Sequence, residues 1–275
     1  MDPFPAEAPH HRRRRWPLVV GGAVVLVVVA LGALVLSSRD RARPVSVDEA
    51  RDRLGTQATD DGGGERPAEG VYRYEGTGSE SLSVPPLSQR QGPTMPATVE
   101  HLDEGCWSFR LDYSTNHWQT WDYCPKTDGL HERGGSTWQR WMVGATALTN
   151  LSSFTCPSSI VVPAEREPGQ RWKARCEGTN ELVDGTSTSA GTYEFVGDTT
   201  LAVGDERIAV HHFRSERAMS GSQDGSDRAD WWFAADTGLL VRNRRTIEVR
   251  TATPVGTSTY REEGEFRLVS LEPAG

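Results

Sequence analysis

The sequence predicts a mainly β chain, in which one N-terminal transmembrane helix precedes a single antiparallel, curved-sheet domain outside the cytoplasm with two disulfides. Three observations lead to this prediction. Residues 18–36 form an uncharged apolar run, residues 70–275 alternate between polar and apolar side chains in short segments, and all four cysteines follow the apolar run. A period of two is typical of half-buried strands, and paired cysteines are typical of oxidising compartments.

The apolar run is long enough to cross a bilayer. As a helix, its 19 residues roughly match a hydrocarbon core of about 30 Å. Backbone groups in lipid must bond internally, so we predict a helix at residues 17–37, with Leu18, Val27 and Leu36 in the bilayer. A cleavable signal peptide is the alternative, but its apolar region is usually about 7–15 residues. We therefore expect an uncleaved anchor with the lipid bilayer as its partner.

The flanking charges bear on the orientation of this helix. Residues 1–16 form a basic tail that ends in four arginines, which favours a cytoplasmic N-terminus. Arginines also follow the run, so charge alone leaves the orientation open. The cysteines favour an extracytoplasmic C-terminal part, and the expected location is the cell membrane with a single pass. The net charge of −8 disfavours nucleic acid as a partner.

Residues 38–69 are expected to form a stalk or linker. Ser46 followed by Glu49 is a capping-box pattern and predicts a short helix over residues 46–54. The acidic, glycine-rich residues 60–65 predict a flexible linker. The β domain then covers residues 70–275. Its predicted strands are 71–77, 80–84, 97–102, 106–113, 117–124, 129–133, 137–143, 147–156, 171–177, 192–196, 207–216, 230–235, 239–251, 257–262 and 265–271.

One hairpin can be derived residue by residue. Strands 106–113 and 117–124 flank residues 114–116, and three residues are a common hairpin loop length. Folding there opposes Cys106 to Cys124 without a bulge, and opposed Cβ atoms lie about 4.5–5.5 Å apart, near disulfide reach. The same register gathers the apolar side chains of both strands on one face. These are Trp107, Phe109, Leu111, Trp121 and Tyr123.

Cys156 and Cys176 then remain for each other. This is one of three possible connectivities, and four free or metal-binding cysteines are the alternative. The sequence has no Cys-x-x-Cys spacing, which disfavours zinc. We expect both pairs to be disulfides.

No motif for catalysis, a cofactor or a metal stands out. The chain lacks a Gly-x-Ser-x-Gly elbow, a phosphate loop and a dinucleotide fingerprint, so we predict that it is not an enzyme and holds no cofactor. Among the tryptophans, Trp107 and Trp121 belong to the apolar face and are expected in the core. Trp118 falls on the polar face, and it is the candidate for a surface binding residue.

Two stretches carry a resemblance to known families. Residues 70–80 (GVYRYEGTGSE), the Cys106-Trp hairpin and the Tyr123-Cys-Pro triplet resemble actinobacterial envelope proteins of unassigned activity. Residues 231–242 (WWFAADTGLLVR) resemble the late hairpin of the LolA/LppX-like half-barrel superfamily. That resemblance implies a half-barrel-like sheet bent around an apolar cavity plugged by helices, in proteins that carry lipids or sense envelope components. This sequence has no good plug helices, and no ligand residue carries over.

These features lead to an expected function class. A tethered domain without catalytic motifs suits a non-catalytic binding or sensing module of the cell envelope, with a lipid, a glycan or a protein as its ligand. A structural or assembly partner of an envelope complex is the alternative, and an envelope hydrolase is the least favoured class.

Overall fold

The computed structural model describes residues 42–55, 66–144, 146–254 and 256–274. The predicted cytoplasmic tail and transmembrane helix, with Leu18, Val27 and Leu36, lie outside these ranges. Within them, no helix is long and apolar enough to cross a membrane.

The described part of the domain is one large antiparallel sheet, as the sequence predicts. A short helix, α1 (Val47–Leu54), and a 3-10 turn (Asp103–Gly105) accompany it. The strands are β1 (Gly70–Tyr72), β2 (Tyr74–Leu82), β3 (Leu87–Gln91), β4 (Ala97–His101), β5 (Trp107–Ser114), β6 (His117–Lys126), β7 (Gly129–Val143), β8 (Thr146–Ser158), β9 (Ile160–Pro163), β10 (Arg171–Asn180), β11 (Val183–Val203), β12 (Glu206–Gly221), β13 (Gln223–Ala234), β14 (Leu240–Thr253) and β15 (Gly256–Leu268).

The sheet curves strongly because its two ends meet in one segment of chain. Its strand order is β1-β4-β5-β6-β7-β8-β10-β11-β12-β13-β14-β15-β2-β3, with β9 attached to β7. β1 pairs with β4 at one end, and β2 pairs with β15 near the other. Only Arg73 separates β1 from β2. The sheet must therefore bend until both ends reach residues 70–82, and one face points inward.

Some predicted strand breaks are absent. Predicted strands 129–133 and 137–143 are one continuous strand, β7, and predicted strands 257–262 and 265–271 are likewise merged in β15. Gly134 and Gly135 suggested a turn, but they allow close approach between strands instead. A Cβ on Gly135 would lie 2.1 Å from the carbonyl oxygen of Thr120 on β6. Glycine is therefore needed in the middle of this strand.

The inward face is an aromatic core. All five apolar side chains predicted to share a face of the β5–β6 hairpin are buried on it. Ring contacts join strands that are not neighbours in the sheet. Trp121 on β6 meets Trp231 on β13 at 6.1 Å between centroids, and Tyr123 meets Phe233 at 5.9 Å. The core is therefore packed across the interior.

The predicted hairpin register holds along most of β5 and β6. Trp107 faces Tyr123, and the pairs continue to Asp112 facing Trp118. The prediction of a three-residue loop without a bulge is wrong, because the register shifts at Tyr113 and Ser114 faces His117. Tyr113 accepts a hydrogen bond from the Gly92 backbone instead (2.9 Å). A tertiary contact thus displaces the local pairing.

Both predicted disulfides are present. Cys106 bonds to Cys124, and Cys156 bonds to Cys176, in each case beside paired antiparallel strands. The described part of the chain has no free cysteine.

Helix α1 begins as predicted, but it lies against the domain. Ser46 and Glu49 form a complete capping box. Ala50 is buried, Arg53 pairs with Asp112 on β5 at 2.7 Å, and the Thr115 backbone donates to the Arg43 carbonyl at 2.9 Å. Asp112 points away from the aromatic core, so α1 covers the outer face of the sheet. This part of the predicted stalk is therefore packed on the β domain.

The core makes a quantitative prediction. Phe213 is fully buried among Phe195, Phe233 and Trp172. We expect Phe213→Ala to lower the free energy of unfolding by about 3–5 kcal/mol, because truncation leaves a cavity. Denaturant titration of the full chain, followed by tryptophan fluorescence, measures this change.

Leu182 is the matched control, since its side chain is 54% exposed. Leu182→Ala should change the free energy of unfolding by less than about 0.5 kcal/mol. Equal losses for the two variants would contradict the position assigned to Phe213.

Candidate functional site

Trp118 lies on the outer face of the sheet, opposite the aromatic core. On β6 it sits between Asp112 of β5 and Trp138 of β7. Its ring is nearly parallel to that of Trp138, with centroids 6.4 Å apart. The Arg110 guanidinium lies 4.2 Å from the Trp118 ring centroid. The indole is thus held in place yet only half-buried.

A cleft opens between α1 and this outer face. Its volume is about 390 Å³, within the range of about 300–1,000 Å³ common for small-molecule sites. The helix and the residues before it form one wall, and the ends of β5 and β6 form the other. The lining residues are Val45, Glu49, Asp52, Arg53, Asp112, Ser114, Thr115 and Trp118. We call this the Trp118 cleft.

The charges around the Trp118 cleft are largely paired. Asp112 is buried, and its carboxylate forms ion pairs with the guanidinium groups of Arg53 at 2.7 Å and Arg110 at 3.0 Å.

The other two carboxylates of the cleft belong to α1. The Glu49 carboxylate forms an ion pair with the Arg43 guanidinium at 2.5 Å. Hydrogen bonds from Arg43 and from the Ser46 backbone lower the pKa of Glu49 to about 2. Asp52 forms no ion pair with any described residue, so its carboxylate is the unpaired charge of the cleft.

A second cluster lies inside the curved sheet. Glu80 of β2, His117 of β6, Arg245 of β14 and Glu262 of β15 are all buried there. Arg245 Nη2 lies 2.5 Å from Glu262 Oε1, and His117 Nδ1 lies 3.2 Å from Glu80 Oε2. The Tyr260 hydroxyl lies 2.6 Å from Glu262 Oε2 and 2.9 Å from Glu80 Oε2. We call this the interior cluster.

Amide side chains complete the interior cluster. Gln89 and Gln139 donate to the two oxygens of Glu80 at 2.7 and 2.8 Å, and Gln91 donates to Glu262 at 2.9 Å. Burial acts to raise the pKa of the Glu262 carboxyl. The charge of Arg245, then that of His117 and the hydrogen bonds, outweigh burial and lower the pKa to about 2. Glu262 is therefore held ionised.

The interior cluster is a poor cation site, although its composition suggests one. Glu80, His117 and Glu262 place ligand-type atoms within 4.8 Å of one another. Every oxygen of both carboxylates already accepts a hydrogen bond, and the Arg245 guanidinium adjoins Glu262. A cation would have to displace these donors and face a fixed positive charge. The arrangement fits a structural network that joins opposite sides of the interior.

A second group of residues, Glu132, Cys156 and Cys176, is also close enough together to suggest a metal site, but it is a poor metal site for a different reason. Glu132 lies close to Cys156 and Cys176, but those two sulfurs form the disulfide and offer no thiolate. Burial raises the pKa of Glu132, while Arg217 opposes the rise.

The adjacent histidines do not form a joint site. Nδ1 of His211 lies 2.5 Å from Oδ1 of Asp198. Nε2 of His212 lies 2.8 Å from Oδ1 of Asp230, and the His212 ring stacks on Trp232. They face opposite sides of β12, as adjacent residues of a strand must. Within the described residues, no serine or cysteine side chain hydrogen-bonds to either imidazole.

The sequence placed Trp118 on the polar face. It did not predict the ion pairs around the Trp118 cleft, and it did not predict the interior cluster. A signal existed for Glu262, because its position shares the inward parity of Phe266 on β15. A charged residue at an inward position predicts a buried partner. Nothing in the sequence indicates that the partner is Arg245 or that α1 folds over Asp112.

Comparison with known proteins adds little. No protein-family model and no curated protein matches the chain. Among solved structures, the hypothetical lipoprotein YmcC from Escherichia coli (K12) is similar at 13% identity, with a TM-score of 0.33, over 80% of this chain and 96% of that one. This is a weak structural resemblance to a lipoprotein. It supports no family name and no conclusion about function.

The interior cluster makes a testable prediction. We expect Glu262→Gln to lower the free energy of unfolding by about 3–5 kcal/mol at neutral pH, because Arg245 is left buried without a counter-charge. Replacing both partners, with Arg245→Met and Glu262→Leu together, should recover much of this loss. Denaturant titration of the three full-length proteins measures the difference.

The same pair predicts a pH dependence. The folded-state pKa of Glu262 is lowered to about 2, below the ordinary value of about 4.3. Its stabilisation is therefore present above pH ~4.3 and is lost as the pH falls towards ~2. The stability difference between the parent and Glu262→Gln should shrink over that window. A difference that stays constant would contradict this role.

Proposed function

We propose that this chain is a single-pass membrane protein whose C-terminal β domain is a non-catalytic binding or sensing module of the cell envelope. Its ligand is an envelope lipid, glycan or protein. The observation that carries the proposal is the Trp118 cleft, where a half-buried indole faces a preformed cavity built by α1 and the sheet. Concave sites with an aromatic wall and a few polar groups are typical of ligand binding.

The proposed location rests on two features of the chain. The apolar run at residues 17–37 supports an uncleaved membrane anchor with a cytoplasmic tail at residues 1–16. The two disulfides support an oxidising environment for the β domain. Binding to the lipid bilayer through residues 17–37 belongs to the same proposal.

The half-barrel relationship is also part of the proposal, and the curvature of the sheet supports it. The inner face differs from a ligand-bearing half-barrel, because aromatic side chains and the interior cluster occupy it. Ligand binding is therefore assigned to the outer face.

A structural or assembly role has weaker support. The large apolar side chains that are exposed in the described residues lie on different strands and turns. They are Val84, Leu102, Val143, Leu182 and Val196. An assembly surface is expected to gather such side chains in one patch.

The function is tested with the full chain purified from its own envelope. We expect native mass spectrometry to detect a bound small molecule or partner protein. Trp118→Ala should lower its affinity at least about tenfold, since tryptophan anchors commonly contribute about 2 kcal/mol or more to binding. Trp232→Ala is the matched control, because Trp232 on β13 also carries an arginine over its ring, Arg242 at 4.9 Å from the centroid, but does not line the cleft. We also expect protease added outside intact cells to digest the β domain.

Two results would contradict the proposal. One is a parent protein that carries nothing and is unaffected by Trp118→Ala. The other is a β domain that external protease leaves intact while its cysteines react with cytosolic thiol reagents.

A further inference from the structure

We infer that the Trp118 cleft binds an uncharged saccharide. This inference rests on the proposed binding function and names the ligand class for the same site. Four properties of the cleft carry it: its paired charges, its available hydrogen-bonding groups, its aromatic wall and its size.

The charges of the cleft disfavour an anionic ligand, because three arginines at and beside it are balanced by three carboxylates, Glu49, Asp52 and Asp112, and Asp52 would repel an anion. The arginines at and beside the cleft are Arg43, Arg53 and Arg110, and each is engaged by a carboxylate, Glu49 or Asp112. In the described part of the chain, no further guanidinium or ammonium group lines the cavity. A phosphate, sulfate or carboxylate would therefore have to break an existing ion pair, one of which involves a buried Asp112.

The same lining excludes an acyl chain. Val45 and Trp118 are the large apolar side chains of the cleft, and the remaining lining residues are charged or carry hydroxyl groups. An acyl chain would take Asp52 and Arg53 out of water without replacing their hydrogen bonds, which costs free energy. A ligand rich in hydroxyl groups carries no such penalty.

The available polar groups suit sugar hydroxyls. Ser114 Oγ accepts from the Asn116 backbone at 3.1 Å, and Thr115 Oγ1 accepts from the Arg43 backbone at 3.3 Å. Each hydroxyl keeps its own proton to donate into the cleft. Asp52 offers a carboxylate that accepts hydrogen bonds. Sugar hydroxyls both donate and accept, so one ring can satisfy donors and acceptors at once.

The aromatic wall and the volume agree with this ligand class. Arg110 covers one face of the Trp118 ring, so a pyranose ring meets the part of the indole that lines the cleft, where the electronegative π system attracts its weakly positive C–H groups. Trp118 is held by Arg110 and Trp138, so little side-chain freedom is lost when a ligand binds. A cavity of about 390 Å³ lies near the lower end of ligand-site volumes, and it suits a ligand of about one or two sugar rings.

The experiment is a binding panel on the full chain in nanodiscs. The probes are uncharged mono-, di- and trisaccharides of hexoses, pentoses and N-acetylhexosamines, together with glucose 6-phosphate and vesicles of phosphatidylglycerol. Saturation-transfer NMR and tryptophan fluorescence report binding. We expect at least one uncharged saccharide to bind, and the phosphorylated sugar and the anionic vesicles to show no binding that depends on Trp118.

Variants locate the bound sugar. Trp118→Ala should weaken binding at least about tenfold, and Trp118→Phe should restore part of the affinity because a smaller aromatic ring still contacts the sugar. Asp52→Asn should weaken binding severalfold, because hydrogen bonds to a charged acceptor are the stronger ones. Trp232→Ala, which removes a tryptophan outside the cleft, should change affinity less than about threefold. Unchanged thermal unfolding midpoints separate these effects from misfolding.

The outcomes separate this inference from the proposed function. If no saccharide in the panel binds, or if binding ignores Trp118→Ala, the inference is wrong. If an acidic lipid or an acyl chain co-purifies and Trp118→Ala removes it, the saccharide inference is wrong while the binding function stands. If nothing co-purifies and no probe binds, both are wrong.

Discussion

The fold depends on one geometric constraint, which is that both ends of the sheet must meet at residues 70–82. β1 pairs with β4 and β2 pairs with β15, although Arg73 alone separates the two strands. Antiparallel pairing then continues round the whole sheet, and every second side chain points to a common interior. The interior must be filled from all sides, and ring contacts such as Trp121 with Trp231 fill it.

Polar residues within that interior follow from the same constraint. Strands on opposite sides of the interior bring together residues far apart in the chain, such as Arg245 of β14 and Gln119 of β6, which are separated by 126 positions. Once Glu262 is buried, it needs a counter-charge, and Arg245 on the neighbouring strand supplies it. Three glutamines and a tyrosine satisfy the remaining carboxylate oxygens. The cluster therefore favours one register for several strands at once, because any slip would leave a buried charge unpaired.

The outer face has a different design. Asp112 points away from the core, and there it is covered by Arg53 of α1 and by Arg110 of its own strand. The Arg53–Asp112 ion pair, together with the buried Ala50, holds the helix against the sheet. The gap between the two elements is the Trp118 cleft. A helix that the sequence places in a stalk is thus a wall of the candidate binding site.

The features that the sequence alone determined are local ones. Alternation placed Trp107 and Trp121 inside and Trp118 outside, the capping box placed the start of α1, and the hairpin register paired Cys106 with Cys124. Each depends on residues within about twenty positions of one another, where the periods of strand and helix limit the choices. Tertiary structure decided the register shift at Tyr113, the continuous β7 through Gly134 and Gly135, the docking of α1 on Asp112, and the pairing of Glu262 with Arg245. These outcomes depend on which distant groups come into contact when the sheet closes on residues 70–82, and that information is not contained in the periodicity of any single segment.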